Sequence, residues 1–183
     1  MNQIKTDFSI YPGLEKMFTE SCRPFLDNIT SQIIADQKIN LRKLAITAYA
    51  ASNVGVSGLV NACEYIASRI GSHIGKNLEV YSINLSGYNK LPCERHKLPW
   101  KDTLSYDYIL FTDSFTDGLL LRHAHYVVSK QGVDDRKIKI AAVFYIPKIC
   151  SNLEIDSCSL QDSILVEKRF SKKPDYVGQV INL

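Results

Sequence analysis

Apolar positions along the chain switch repeatedly between two spacings, and the switches outline an architecture. After a Tyr11-Pro12-Gly13 turn signal, Leu14, Phe18, Phe25, Leu26, Ile29, Ile33 and Ile34 recur as one face of a helix does. Pro24 interrupts that run, which predicts one helix before it and a second after it to about residue 37. Residues 41–51 (LRKLAITAYAA) read as a strand with Leu44, Ile46 and Ala48 on one face. Helical spacing returns over 59–70, with Gly71 placed as a C-terminal cap. A second strand is expected over 77–85 (NLEVYSINL). A third covers 108–111, turns at Thr112-Asp113, and leads through a polar loop at 114–118 into a helix that Gly132 stops. Residues 138–146 (IKIAAVFYI) are almost continuously apolar, the pattern of a strand buried on both faces of a parallel sheet. A short candidate strand, 164–166, precedes the tail.

Strands alternating with helices give an α/β class: a mostly parallel twisted sheet flanked by helices, with N-terminal helices and a short C-terminal hood. At 183 residues the chain reads as a single domain, with a helical arm at 1–40, the core sheet at 41–150 and the hood and tail at 151–183. The arm is also a candidate face for a homodimer or a partner protein.

Charge and cysteine content narrow the function classes. A net charge of +3 is too small to indicate a nucleic-acid surface but is compatible with an anionic small ligand. The five cysteines, Cys22, Cys63, Cys93, Cys150 and Cys158, are odd in number and hold no C-x-x-C pair, so reduced thiols and a cytoplasmic location are expected. The opening residues show no apolar leader, and no apolar run approaches membrane-spanning length. His123 and His125, two residues apart on a predicted helix, point in different directions and make a poor metal pair.

Candidate chemistry gathers where strands are predicted to meet helices. The stretch 108–121 (YILFTDSFTDGLLL) reads as a buried strand feeding a Gly-bearing polar loop and a helix, a device that points backbone N–H groups at an anion. The run Ser52-Asn53-Val54-Gly55-Val56-Ser57-Gly58 forms an earlier unit of the same kind, expected as a tight loop. In a parallel sheet both loops open beyond the carboxyl ends of the strands, where ligands bind. The segment 90–105, with Pro92, Pro99 and Trp100, is expected to be a lid at that edge.

In the order of these loops the chain resembles the type I phosphoribosyltransferases, which exchange the pyrophosphate of phosphoribosyl pyrophosphate (PRPP) for a nitrogen base. The run Phe111-Thr112-Asp113-Ser114-Phe115-Thr116-Asp117-Gly118 is similar to the family's PRPP motif, and 52–58 to its pyrophosphate loop. Ser86-Gly87-Tyr88 with the segment after it resembles the catalytic flexible loop, and Lys173-Pro174-Asp175-Tyr176-Val177-Gly178 the base-binding segment of the 6-oxopurine branch.

The resemblance implies a catalytic set of Asp113, Asp117 and Tyr88. It places Thr112, Ser114, Thr116, Gly118, Ser52, Ser57 and Gly58 at phosphate, and Lys148, Tyr176 and Val177 at the base, with Tyr176 stacking and the Val177 backbone reading the base edge. It also implies a Mg2+ ion held by Asp113. The chain departs from the family's pattern in the pyrophosphate loop, which lacks a basic residue, and at three positions of the PRPP motif. Leu120 replaces a usual hydroxyl. Thr112 stands where a first carboxylate is usual, and Asp117 where a small hydroxyl residue is usual. Three activities stay open on this basis: transfer to a purine-like base, ligand or partner binding by a catalytically degenerate relative, and cleavage of an N-glycosidic bond.

Overall fold

The computed structural model describes residues 14–50, 53–84, 105–115, 128–129, 132–147 and 173–182. Within them α1 (Leu14–Ala35), β1 (Leu44–Ala50), α2 (Asn53–Ile74), β2 (Glu79–Asn84), β3 (Asp107–Phe115), β4 (Ile138–Tyr145) and β5 (Tyr176–Val180) follow in chain order. The five strands form one sheet in the order β2-β1-β3-β4-β5, and every neighbouring pair is parallel. This is the α/β sheet with flanking helices that the alternating periods predict.

Residue alternation along the strands separates two cores. Leu44, Ile46 and Ala48 of β1, with Ile109, Phe111, Ala141 and Val143, face α1 and α2. Those helices bring Leu26, Ile29 and Ile33 and then Leu59, Ile66 and Ile70, all without solvent contact or nearly so. Each such side chain contributes about 1.5–3 kcal/mol relative to leaving it in water, so this face supplies much of the fold's stability. On the other face Ala45, Tyr49, Tyr108, Leu110 and Ala142 pack with Val128 and Val133 from the connection between β3 and β4. The two crossovers therefore cover opposite faces, as connections of one hand running in opposite directions require.

Several boundaries differ from the sequence expectation. α1 is one helix through Pro24, not two. Pro24 stands on the exposed side, where solvent is at hand and the missing N–H costs least. Gly71 is interior to α2 and buried, because a Cβ there would lie 2.7 Å from the Lys76 carbonyl oxygen. The cap is Gly75, at φ 67°, with the Lys76 N–H donating to the Gly71 carbonyl at 3.1 Å to close a Schellman motif. β3 does not turn at Thr112-Asp113 but continues to Phe115. The tail contributes a strand, β5, where a hood was expected. Gly132 does end a turn, at φ 88°, beyond helical Val128 and Ser129. The rest of that helix, the segment 90–105 apart from Ser105, and 164–166 lie outside the described residues.

Candidate functional site

The sheet reverses its direction of growth between β1 and β3. From β1 the chain moves outward to β2 over one face, and from β3 it moves outward to β4 over the other. Helices diverge at such a point and leave a crevice beyond the carboxyl ends of the two strands. β1 and β3 pair in parallel through Ala48 and Phe111. The register between the two strands ends there, and Ala50 and Asp113 each lie two residues further toward the carboxyl end of their strand. α2 begins at Asn53, three residues after β1 ends. Its first N–H groups have no carbonyl partner within the helix and carry the positive end of the helix dipole. The carboxyl ends of β1 and β3 and the start of α2 thus lie on one rim of the sheet.

Asp113 is the described carboxylate at that rim, and it is exposed. Alternation places it on the face of Ile109 and Phe111, toward α1. Its Oδ1 accepts two long hydrogen bonds, from Thr112 Oγ1 and Ser114 Oγ, each at 3.4 Å. Thr112 points to the opposite face, is only 4% exposed, and also donates to the Ser114 carbonyl at 3.2 Å. Its single O–H is turned back on its own strand, shared between Asp113 Oδ1 and the Ser114 carbonyl. Cys22 of α1 lies within the electrostatic reach of Asp113. Burial first, and the Asp113 charge second, push its thiol above the ordinary value, so it stays protonated and unreactive at neutral pH.

The other residues singled out from the sequence are distributed differently. Ser57 and Gly58 belong to the opening turns of α2 instead of a loop, and Gly58 is buried. The correction has a simple cause: two glycines and a serine look like a loop, but the chain there is helical and brings its backbone N–H groups to the rim through a helix start. Tyr176 and Val177 are in the sheet, not over a ligand. Tyr176 is 3% exposed, packs under α1, and donates its hydroxyl to Asp36 Oδ2 at 2.8 Å. The Val177 N–H donates to Gln32 Oε1 at 3.2 Å, and the Val177 carbonyl accepts from Gln32 Nε2 at 2.7 Å. A ring held in the core cannot stack on a base, and a backbone whose polar groups are both taken cannot read one. Ser52, Tyr88, Thr116, Asp117, Gly118 and Lys148 lie outside the described residues.

Among the described residues no group of three or more His, Cys, Asp or Glu side chains could hold a metal ion. One exposed carboxylate suits a Mg2+ that arrives on a ligand's phosphates, because this cation is usually bound through one or two carboxylates plus substrate phosphates. It does not suit a cation resident in the free protein. A cavity of about 520 Å3 lies elsewhere, on the outer side of α2 beside the start of β2, lined among others by Glu64, Ser68, Gly71, Gly75, Lys76 and Val80. None of those side chains was singled out for chemistry.

The sequence reading passed over Asn28, Gln32 and Asp36, the residues of α1 that hold β5. The signal was present: polar side chains at four-residue spacing beside an apolar face.

No protein-family model and no curated protein matches the chain. Among solved structures it is similar to a hypoxanthine phosphoribosyltransferase from Staphylococcus aureus, at 13% identity over 91% of this chain and 74% of that one, with a TM-score of 0.46. A purine phosphoribosyltransferase from Pyrococcus horikoshii is similar at 15% identity over 91% and 88%, with a TM-score of 0.48. A hypoxanthine phosphoribosyltransferase from Trypanosoma cruzi, complexed with the product IMP, is similar at 11% over 90% and 75%, with a TM-score of 0.49. These likenesses are distant. No helix among the described residues is long and apolar enough to cross a membrane.

Proposed function

We propose that this chain is a phosphoribosyltransferase-like protein that binds PRPP or a nucleotide at the rim between β1 and β3. The observation that carries the reading is the position of Asp113. It lies two residues beyond Phe111, the last β3 residue in register with β1, at the same end of the sheet as the start of α2, which sets a carboxylate for sugar hydroxyls and a helix N-terminus for phosphate on one rim. In this reading Asp113 holds the ribose, and Thr116 and Gly118 hold the 5′-phosphate. Tyr88 closes over the pyrophosphate, Asp117 handles a proton of the base, Lys148 contacts the base, and Mg2+ enters bound to the ligand's phosphates. Tyr176 and Val177 have no part in it. Catalysis would be positioning of the two reactants and stabilisation of charge on the sugar.

The experiment is incubation with PRPP, Mg2+ and hypoxanthine or guanine, with nucleotide and pyrophosphate as expected products. Asp113→Asn is expected to reduce the rate by on the order of a hundredfold, the scale of losing one charge-stabilising contact. An undiminished rate removes Asp113 from the site. A second reading, a relative that binds the ligand without transferring anything, is favoured by Thr112, whose buried hydroxyl leaves Asp113 without a second carboxylate beside it. Binding of PRPP or a nucleotide without turnover would establish that reading, and absence of both binding and turnover would dispose of both.

A further inference from the structure

Tyr176 is locked in the core, yet the rim beside Asp113 carries aromatic surface from another strand. Asn28 Nδ2 donates to the Gly178 carbonyl at 2.9 Å, and Asp36 Oδ2 accepts from the Tyr176 hydroxyl at 2.8 Å. α1 therefore runs antiparallel to β5, and its residues before Asn28 approach the carboxyl rim. Cys22, within the electrostatic reach of Asp113, stands there, and Phe25 follows within one turn. The Phe25 ring meets the ring of Phe144 at 5.4 Å, with the two planes 66° apart.

Phe144 reaches that side because β4 breaks its alternation at the rim. Successive side chains of a strand point to opposite faces. Val143 and Phe144 nevertheless both pack against the core beneath α1, and Tyr145 packs against the opposite one. The ladders to both neighbours pass over Val143: Ala142 and Phe144 pair with Thr112 and Ser114 of β3, and with Val177 and Gln179 of β5. Beside Val143 on β5 is Gly178, where a Cβ would lie 2.5 Å from the Val143 carbonyl oxygen. The absent Cβ leaves room for this close approach, and β4 twists there. Ser114 is directly across from Phe144, so Asp113 is one residue short of it on the adjoining strand, a Cα separation of roughly 6 Å. Asp113 is exposed and Phe144 half-buried. An edge-to-face contact leaves at least one flat face of the Phe144 ring unused by Phe25.

We infer that Phe144 is a specificity-determining residue of the rim, stacking on the planar base of a nucleotide whose ribose hydroxyls meet Asp113. The inference rests on the reading of the rim as a PRPP or nucleotide site. Stacking on an aromatic ring accepts any base, because each has a π-face. Phe144 therefore separates ligands that carry a base from those that do not, and does not choose among bases.

The test compares two probes that share a ribose and a 5′-phosphate: inosine 5′-monophosphate, which has a base, and PRPP, which has none. Both are titrated calorimetrically, with Mg2+, into the unmodified chain, Phe144→Leu and Phe144→Tyr. Phe144→Leu, which keeps an apolar side chain without a π-face, should weaken the nucleotide about tenfold and leave PRPP unchanged. Phe144→Tyr should keep both affinities. An unchanged nucleotide affinity in Phe144→Leu overturns the inference, and so does an equal loss for both probes, which would make the ring a support for α1 only. PRPP binding with no nucleotide binding in the unmodified chain overturns it while leaving the rim reading in place, whereas binding of neither removes both. Should Phe144→Leu not fold, nuclear Overhauser contacts on the unmodified chain, between the Phe144 ring protons and the base H2 or H8 of the bound nucleotide, decide the matter. Their presence supports the inference and their absence overturns it.

Discussion

At the scale of single residues, the chain places its charged groups either in exposed positions or against specific partners. Asp36 illustrates the second case. Burial is the largest influence on its carboxyl and would raise it. The Lys38 N–H, the Tyr176 hydroxyl and the charges of Lys139 and Lys38 together outweigh that and hold it below the usual carboxylate range. A carboxyl depressed in the folded state releases its proton more readily there than in the unfolded chain. Its contribution is therefore complete above the ordinary carboxylate pKa and is lost as pH falls through the depressed value. Tyr176→Phe removes one of the lowering contacts, and burial and the same contact are what hold the Tyr176 phenol protonated. The variant should lose about 1–2 kcal/mol near neutral pH, the cost of a hydrogen bond to a charged acceptor. That deficit should be smaller at an acid pH below the lowered value of Asp36, where its carboxyl is protonated in both proteins. Urea unfolding at the two pH values measures this, and a deficit independent of pH would show that lost packing, not the Asp36 contact, is responsible.

At the scale of elements, packing decides what local composition leaves ambiguous. Gly178 lies between the Val143 carbonyl and Phe25, so Gly178→Ala must push α1 or β4 away and is expected to cost about 1–3 kcal/mol, the range for overpacking. Gly75→Ala meets no atom within 4 Å and suffers only its positive φ, a cost of about 1 kcal/mol. Thermal or chemical unfolding of the two variants should rank them in that order. The same contrast explains what could be read from the sequence. β1, β2 and β4 were legible because their alternation or apolar run is set by burial. Thr112, Asp113 and Ser114 read as a turn because they are polar, yet they extend β3 to Phe115, where solvent and the rim accept polar side chains. The run Asn53-Val54-Gly55-Val56-Ser57-Gly58 read as a loop because glycine and serine weaken a helix locally, but packing of α2 against β1 outweighs that. β5 is short and owes its place to amides 145 to 150 positions away in sequence, and no local pattern contains that information.

At the scale of the whole molecule, the sequence showed that the sheet is parallel but not that β3 inserts beside β1. That insertion puts the carboxyl ends of β1 and β3 side by side on one rim, the place where such sheets bind ligands. The described residues also form the open cavity beside α2, a second candidate place for a small ligand. Their chemistry differs. The cavity presents the Glu64 carboxylate and small residues, and the Nζ of its Lys76 is engaged by the Arg42 carbonyl at 2.7 Å, so it has little to offer a phosphate. The rim presents the start of α2, whose dipole favours one. PRPP or a purine nucleoside monophosphate should therefore stabilise the protein through the rim, by about 2.7 kcal/mol at a hundredfold excess over Kd. Asp113→Asn should abolish the shift, whereas Glu64→Gln and Tyr176→Phe should keep it. Mg2+ without ligand should produce none, since a lone exposed carboxylate is a poor seat for a strongly hydrated cation. A ligand shift that survives Asp113→Asn and disappears with Glu64→Gln would move the binding site to the cavity and take the rim's proposed chemistry with it.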